Sequence, residues 1–93
     1  MIIVSYDISD NKTRTKFNKF LKKFGRSLQY SVIEIKNSPR ILNKIILEID
    51  KVYKKRFAQS DSVLIYMISQ VDEKNIIRYG WTVQEEQEVI FFD

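Results

Sequence analysis

The first twenty-five residues, MIIVSYDISDNKTRTKFNKFLKKFG, constrain the fold more than any other stretch of the chain. Met1–Asp7 is an almost continuous apolar run. Side chains alternate along a strand, so Ile2, Val4 and Tyr6 share one face and Ile3, Ser5 and Asp7 the other. Apolar residues on both faces predict a central strand covered on both sides. The run stops at a carboxylate, Asp7, on the side of Ser5. Ser9 and Asp10 then offer N-caps for a helix. Phe17, Phe20, Leu21 and Phe24 follow an i, i+3, i+4, i+7 spacing and form its buried stripe. Gly25 is placed to end it as a C-cap. A second stripe is basic: Lys12, Lys16, Lys19 and Lys23, widened by Arg14, Lys22 and Arg26. No acid occurs between residues 11 and 33, so these cations lack local i, i+4 partners. Unpaired cations in a row point to a phosphate-binding face.

The rest of the chain supplies partners for that strand and helix. Residues 26–36, RSLQYSVIEIK, are strand-like throughout, either one bent strand or two short ones broken near Ser31. Glu34, the only acid there, reads first as a structural strand residue. Ser38 and Pro39 fit the N-cap and first position of a second helix. Its buried stripe is Leu42, Ile45, Ile46, Ile49, Val52, Tyr53 and Phe57, and Lys51, Lys54, Lys55 and Arg56 crowd its last turns. Asp61 precedes a strong strand, Ser62–Ser69. Val71–Asn75 reads as a polar turn and Ile76–Trp81 as a short apolar piece. Glu85, Glu86 and Glu88 make an acidic segment before a terminal apolar strand, Val89–Phe92. The order predicts an α+β fold, a β-α-β-β-α-β split layout with both helices on one face of an antiparallel sheet. Residues 1–93 form one domain. Its tail, 82–93, joins its own sheet or that of a second subunit, and a core of this size gains from oligomerisation.

Composition narrows the chemistry. The chain contains neither cysteine nor histidine. Disulfides, thiolate metal sites and imidazole bases are therefore excluded. Glycine-rich nucleotide loops and H-E-x-x-H are also missing. A metal held by oxygen ligands alone is a hard cation such as Mg²⁺. Asp7 is the best ligand on offer, yet one aspartate is a poor metal site. A two-fold axis passing nearby would bring two together. Charge is divided along the chain: residues 1–59 carry 14 Lys and Arg against 5 Asp and Glu, and residues 60–93 carry 2 against 7. A basic segment of this kind suits a polyanion. With no signal-peptide pattern and no membrane-length apolar segment, the expectation is a soluble, cytoplasmic protein with no membrane partner.

Several short motifs occur together in a telling order. Val4-Ser5-Tyr6-Asp7 ends the first strand, and Asp10, Lys12 and Arg14 open the helix. Gly25 and Gln29-Tyr30-Ser31-Val32-Ile33-Glu34 follow, and Asp61-Ser62 leads into the strand holding Ile65-Tyr66. This pattern resembles the small CRISPR-associated adaptation protein family (Cas two), which partners the spacer integrase. The resemblance implies a ferredoxin-like homodimer in which Asp7 faces its copy across the dimer axis. There it would act as catalytic residue and ligand of Mg²⁺ or another divalent cation. The implied activity is metal-dependent endonuclease cleavage of RNA or DNA. In spacer acquisition the dimer would serve as a scaffold between integrase subunits, gripping duplex DNA. Lys12, Arg14, Lys16, Lys19, Lys23 and Arg26 are the expected nucleic-acid contacts, with Tyr6, Ser31 and Glu34 as supporting residues. Single-stranded RNA is a further expected substrate. Two positions depart from the family pattern: Ile33 stands where an aromatic is usual, and Leu64 where an arginine is frequent. A non-catalytic DNA scaffold and a toxin-type ribonuclease of similar fold are the alternative readings.

Overall fold

The computed structural model describes residues 1–80. The expected acidic segment, the Val89–Phe92 strand and the rest of the 82–93 tail lie outside the described residues. Four strands form one antiparallel sheet: β1 (Ile2–Asp7), β2 (Gly25–Gln29), β3 (Val32–Ile35) and β4 (Ser62–Met67). Their order is β2-β3-β1-β4, so the first strand is central, as its apolar run predicts. Ile2 lies opposite both Ile35 and Met67, and Ser5 opposite both Val32 and Leu64. With helices α1 (Asn11–Lys22) after β1 and α2 (Pro39–Glu48) before β4, this is the ferredoxin-like arrangement.

Each helix begins where a local cap dictates. The Asp10 carboxylate accepts from the Thr13 backbone N–H at 2.8 Å, and Ser38 Oγ accepts from that of Ile41 at 3.4 Å. Pro39 occupies the first turn of α2, where its missing N–H costs nothing. The helix does not end at Glu48. It widens into a π-helical turn over Ile49–Tyr53 and tightens to a 3₁₀ turn over Lys54–Arg56.

Gly25 has a different role from the one its position suggests. α1 is capped by Lys23 in right-handed helical geometry, and Gly25 is the first residue of β2. A Cβ on Gly25 would stand 1.8 Å from the Glu34 carbonyl oxygen. The residue is needed for close strand approach, not for a left-handed cap. The 26–36 stretch is a hairpin with a two-residue connection, Tyr30-Ser31, and Ser31 takes the left-handed conformation at φ 65°. A register shift between Ser27 and Gln29 lets so short a hairpin close. Where the sequence reads as a polar turn over Val71–Asn75, residues Gln70–Glu73 form a single helical turn, α3 (Gln70–Glu73), capped by the Ser69 hydroxyl.

One face of the sheet carries the core. Ile2, Val4, Tyr6, Ile33 and Ile35 meet Phe17 and Leu21 of α1, Ile45 of α2 and Tyr53 of the π turn. Phe17 is fully buried at the centre, its ring 5.2 Å from that of Tyr6, 4.9 Å from Tyr53 and 6.1 Å from Phe57. The near-perpendicular contacts are the edge-to-face geometry that aromatic quadrupoles favour. The opposite face bears Ile3, Ser5, Asp7, Glu34, Leu64 and Tyr66. No described element covers it, and Leu64 and Tyr66 remain 53% and 47% exposed.

Candidate nucleic-acid and metal site

Asp7 ends the central strand on the open face, exposed to solvent. Its cross-strand neighbour is Ser62. The carboxylate forms no ion pair or hydrogen bond among the described residues, so it is available to an external cation. One copy of the chain does not build a complete metal centre: no group of three carboxylate, histidine or cysteine ligands occurs among the described residues.

The loop between β1 and α1 is held by two residues. Asp61 Oδ1 accepts from Ser9 N at 2.9 Å and from Ser9 Oγ at 3.0 Å, while its Oδ2 accepts from Ala58 N at 2.8 Å. These bonds, the Ser9 backbone N–H foremost, hold the Asp61 carboxyl below the usual carboxylate range. Arg14 reaches back from α1 and donates to the carbonyls of Ile8 at 3.1 Å and Ser9 at 3.5 Å, and to the Asn11 side chain. The loop that follows Asp7 is thus fixed from both sides. Asp61 enters the sequence pattern without a role. Its partner Ser9 is 52 positions away, and no spacing rule connects them.

The expected site residues fall into separate places. Lys12, Lys16 and Lys19 line one groove of ≈ 630 Å³ with Asn11, Thr15 and, from the end of the 3₁₀ turn, Arg56. Arg14, Lys22, Tyr6 and Ser31 line a second groove of ≈ 710 Å³ between α1 and the hairpin. Lys23 caps α1. Arg26 does not continue the basic helix stripe. It pairs with Glu34 at 3.3 Å across β2 and β3, on the open face of the sheet. Strand alternation also separates Tyr6 from Asp7. Tyr6 points into the core, 5% exposed, with its hydroxyl accepting from Asn18 Nδ2 at 2.6 Å, so it cannot complete the surroundings of Asp7. Ser31 sits on the Tyr6 side, its carbonyl accepting from Tyr6 N at 3.1 Å. Glu34 shares the open face but lies opposite Ile3, four residues and roughly 13 Å of strand away from Asp7. The basic grooves and the Asp7 carboxylate therefore occupy opposite faces of the sheet.

Comparison with known proteins agrees with this architecture. A protein homologous over 97% of this chain and 76% of its own length, from Mycobacterium tuberculosis, is 35% identical and named a CRISPR-associated endoribonuclease Cas2. A Chloroflexus aurantiacus protein with the corresponding name is 32% identical over 84% of this chain and 81% of its own. The crystal structure of Streptococcus pyogenes Cas2 superposes with a TM-score of 0.68 over 85% of this chain and 98% of that one, and at 19% identity it supports the fold. No helix among the described residues is long and apolar enough to cross a membrane. The family model for CRISPR associated protein Cas2 matches residues 1–76, which takes in β1 with Asp7, the basic helix, the hairpin and β4 with its Asp61-Ser62 entry, and the chain belongs to that family.

Proposed function

We propose that this Cas2-family chain acts in CRISPR adaptation as a homodimeric scaffold that holds duplex DNA beside the integrase, and that two copies of Asp7 form a divalent-metal centre for phosphodiester cleavage. The observation that carries the reading is Asp7: an exposed carboxylate with no partner among the described residues, at the end of the central strand on a sheet face where Leu64 and Tyr66 stand exposed. Dimerisation through that face suits its apolar character. The donor chemistry also fits, because Mg²⁺ is commonly held by one or two carboxylates and keeps several waters. When bound there, the cation supplies neutralisation of charge at the scissile phosphate and a more acidic water. The chain itself supplies Asp7 as anionic ligand, Asp61 and Arg14 as the anchors of the loop beside it, and the α1 lysines as phosphate contacts. The two relatives are named endoribonucleases, so single-stranded RNA is the first substrate to test.

The test compares wild type with Asp7→Asn on labelled single-stranded RNA and on duplex DNA, in matched Mg²⁺ and again with chelator. RNA cleavage should fall by at least about 10²-fold, the scale of losing one transition-state-stabilising group. Duplex binding should be retained, because the basic groove lies on the other face. A variant that cleaves as fast as wild type, in preparations free of contaminating nuclease, eliminates the metal centre and leaves the scaffold role alone.

A further inference from the structure

The arginine best placed to grip a phosphate is not on the basic helix. Arg14 is committed to the Ile8 and Ser9 carbonyls and the Asn11 side chain. Arg56, forty-two positions later in the sequence, lines the groove with Lys12, Lys16 and Lys19 and makes no hydrogen bond or ion pair among the described residues. None of the three lysines is paired there either.

Arg56 arrives by a built route. In the π turn, Tyr53 is 3% exposed and donates its hydroxyl to the Lys16 carbonyl at 3.5 Å. Its ring packs 4.9 Å from that of Phe17. Just past Arg56, Phe57 packs against the same ring at 6.1 Å, and its N–H bonds the Lys54 carbonyl at 3.3 Å. The backbone is therefore anchored to α1 on both sides of Arg56. Little chain entropy remains to be lost when its side chain engages a ligand. Asp10 offsets Lys12 in part, yet no ion pair among the described residues neutralises these four like charges, and a polyanion compensates them. Lys12 to Lys19 spans roughly 10 Å of helix axis, about three nucleotides of one duplex strand by axial rise. The guanidinium adds a planar, bidentate donor that the lysines lack.

We propose that Arg56, delivered to α1 by the π and 3₁₀ turns, clamps the phosphodiester backbone of duplex DNA in a groove completed by Lys12, Lys16 and Lys19. The assignment rests on the reading that this chain binds duplex DNA.

The experiment measures duplex affinity of the full chain by fluorescence anisotropy between 50 and 200 mM salt. It compares wild type with Arg56→Gln, Arg56→Lys and Lys51→Gln. Lys51 belongs to the adjoining π turn and not to the groove lining, and its loss changes net charge equally. Arg56→Gln should lower the slope of log affinity against log salt by about 0.9 and weaken binding about tenfold at the low-salt end. Arg56→Lys should restore the slope and only part of the affinity, and Lys51→Gln should change binding less than about twofold. Thermal midpoints of both Arg56 variants should match wild type or exceed it. Equal losses in Arg56→Gln and Lys51→Gln would show a diffuse charge effect and overturn the assignment. Wild-type protein that fails to bind duplex would instead remove the scaffold reading beneath it.

Discussion

Asp61 shows how one side chain can govern a site it does not enter. Its three accepted hydrogen bonds tie Ser9, and through it the end of the Asp7 strand, to the start of β4. Because its folded pKa lies below the unfolded value near 3.9, it stabilises the fold fully above that value. The contribution is lost as pH falls through the folded pKa. Thermal unfolding followed from pH 7 to pH 2 should therefore show Asp61→Asn less stable at neutral pH, with the two curves converging below about pH 4. Part of the acid limb survives in the variant, because Asp10 is also held low, chiefly by the Thr13 backbone N–H. Curves that stay parallel to the acid end would show that Asp61 does not carry this linkage. The two aspartates were unequally legible in the sequence. Asp10 bonds three residues ahead, within the reach of a capping rule, whereas Asp61 bonds across the fold. Tyr6 gives the converse lesson: the same alternation that puts Asp7 with Ser5 puts Tyr6 on the opposite face, and adjacency in sequence gives no nearness to the carboxylate.

At the scale of elements, the β2–β3 hairpin depends on Gly25. Any side chain there meets the Glu34 carbonyl, a backbone atom that cannot rotate away. Gly25→Ala should destabilise the fold by about 1–3 kcal/mol or more, the scale of overpacking, read as a lower denaturant midpoint. An unchanged midpoint would mean that β2 can shift along β3 at little cost. Strand pairing was not legible because it depends on register. RSLQYSVIEIK has strand propensity throughout, and the shift between Ser27 and Gln29 that makes room for a two-residue turn has no signature in the pattern. Helix starts were legible through Asp10, Ser38 and Pro39. The π turn was not. The apolar spacing that predicts a buried stripe puts Tyr53 in the core correctly, but it also includes Ile46, which is 40% exposed. Regular periodicity cannot anticipate a change of helical pitch, and that change is what sets Arg56 beside α1.

Across the whole molecule, the central strand was read as covered on both sides, and the described residues cover only one. The core side is closed by α1, α2 and the π turn. On the other side Ile3 faces Tyr66 and Ser5 faces Leu64 across β1 and β4, with Asp7 at the end of the row. If a second copy supplies the missing cover, a charge in this row becomes buried without a partner in the dimer while staying solvated in the monomer. Leu64→Glu should then raise the dimer dissociation constant by at least about 10²-fold, measured by sedimentation velocity over a dilution series. The fold should survive, because Leu64 contributes nothing to the helix-covered core. Metal-dependent cleavage should fall with the dimer population and recover with protein concentration, since the proposed centre is built from two Asp7 carboxylates. The contribution of the Arg56 groove to the salt dependence of duplex binding should persist in the monomer, because that groove is complete within one chain. A Leu64→Glu protein that remains fully dimeric would place the interface elsewhere, and cleavage independent of concentration in a monomeric variant would show that a single Asp7 suffices.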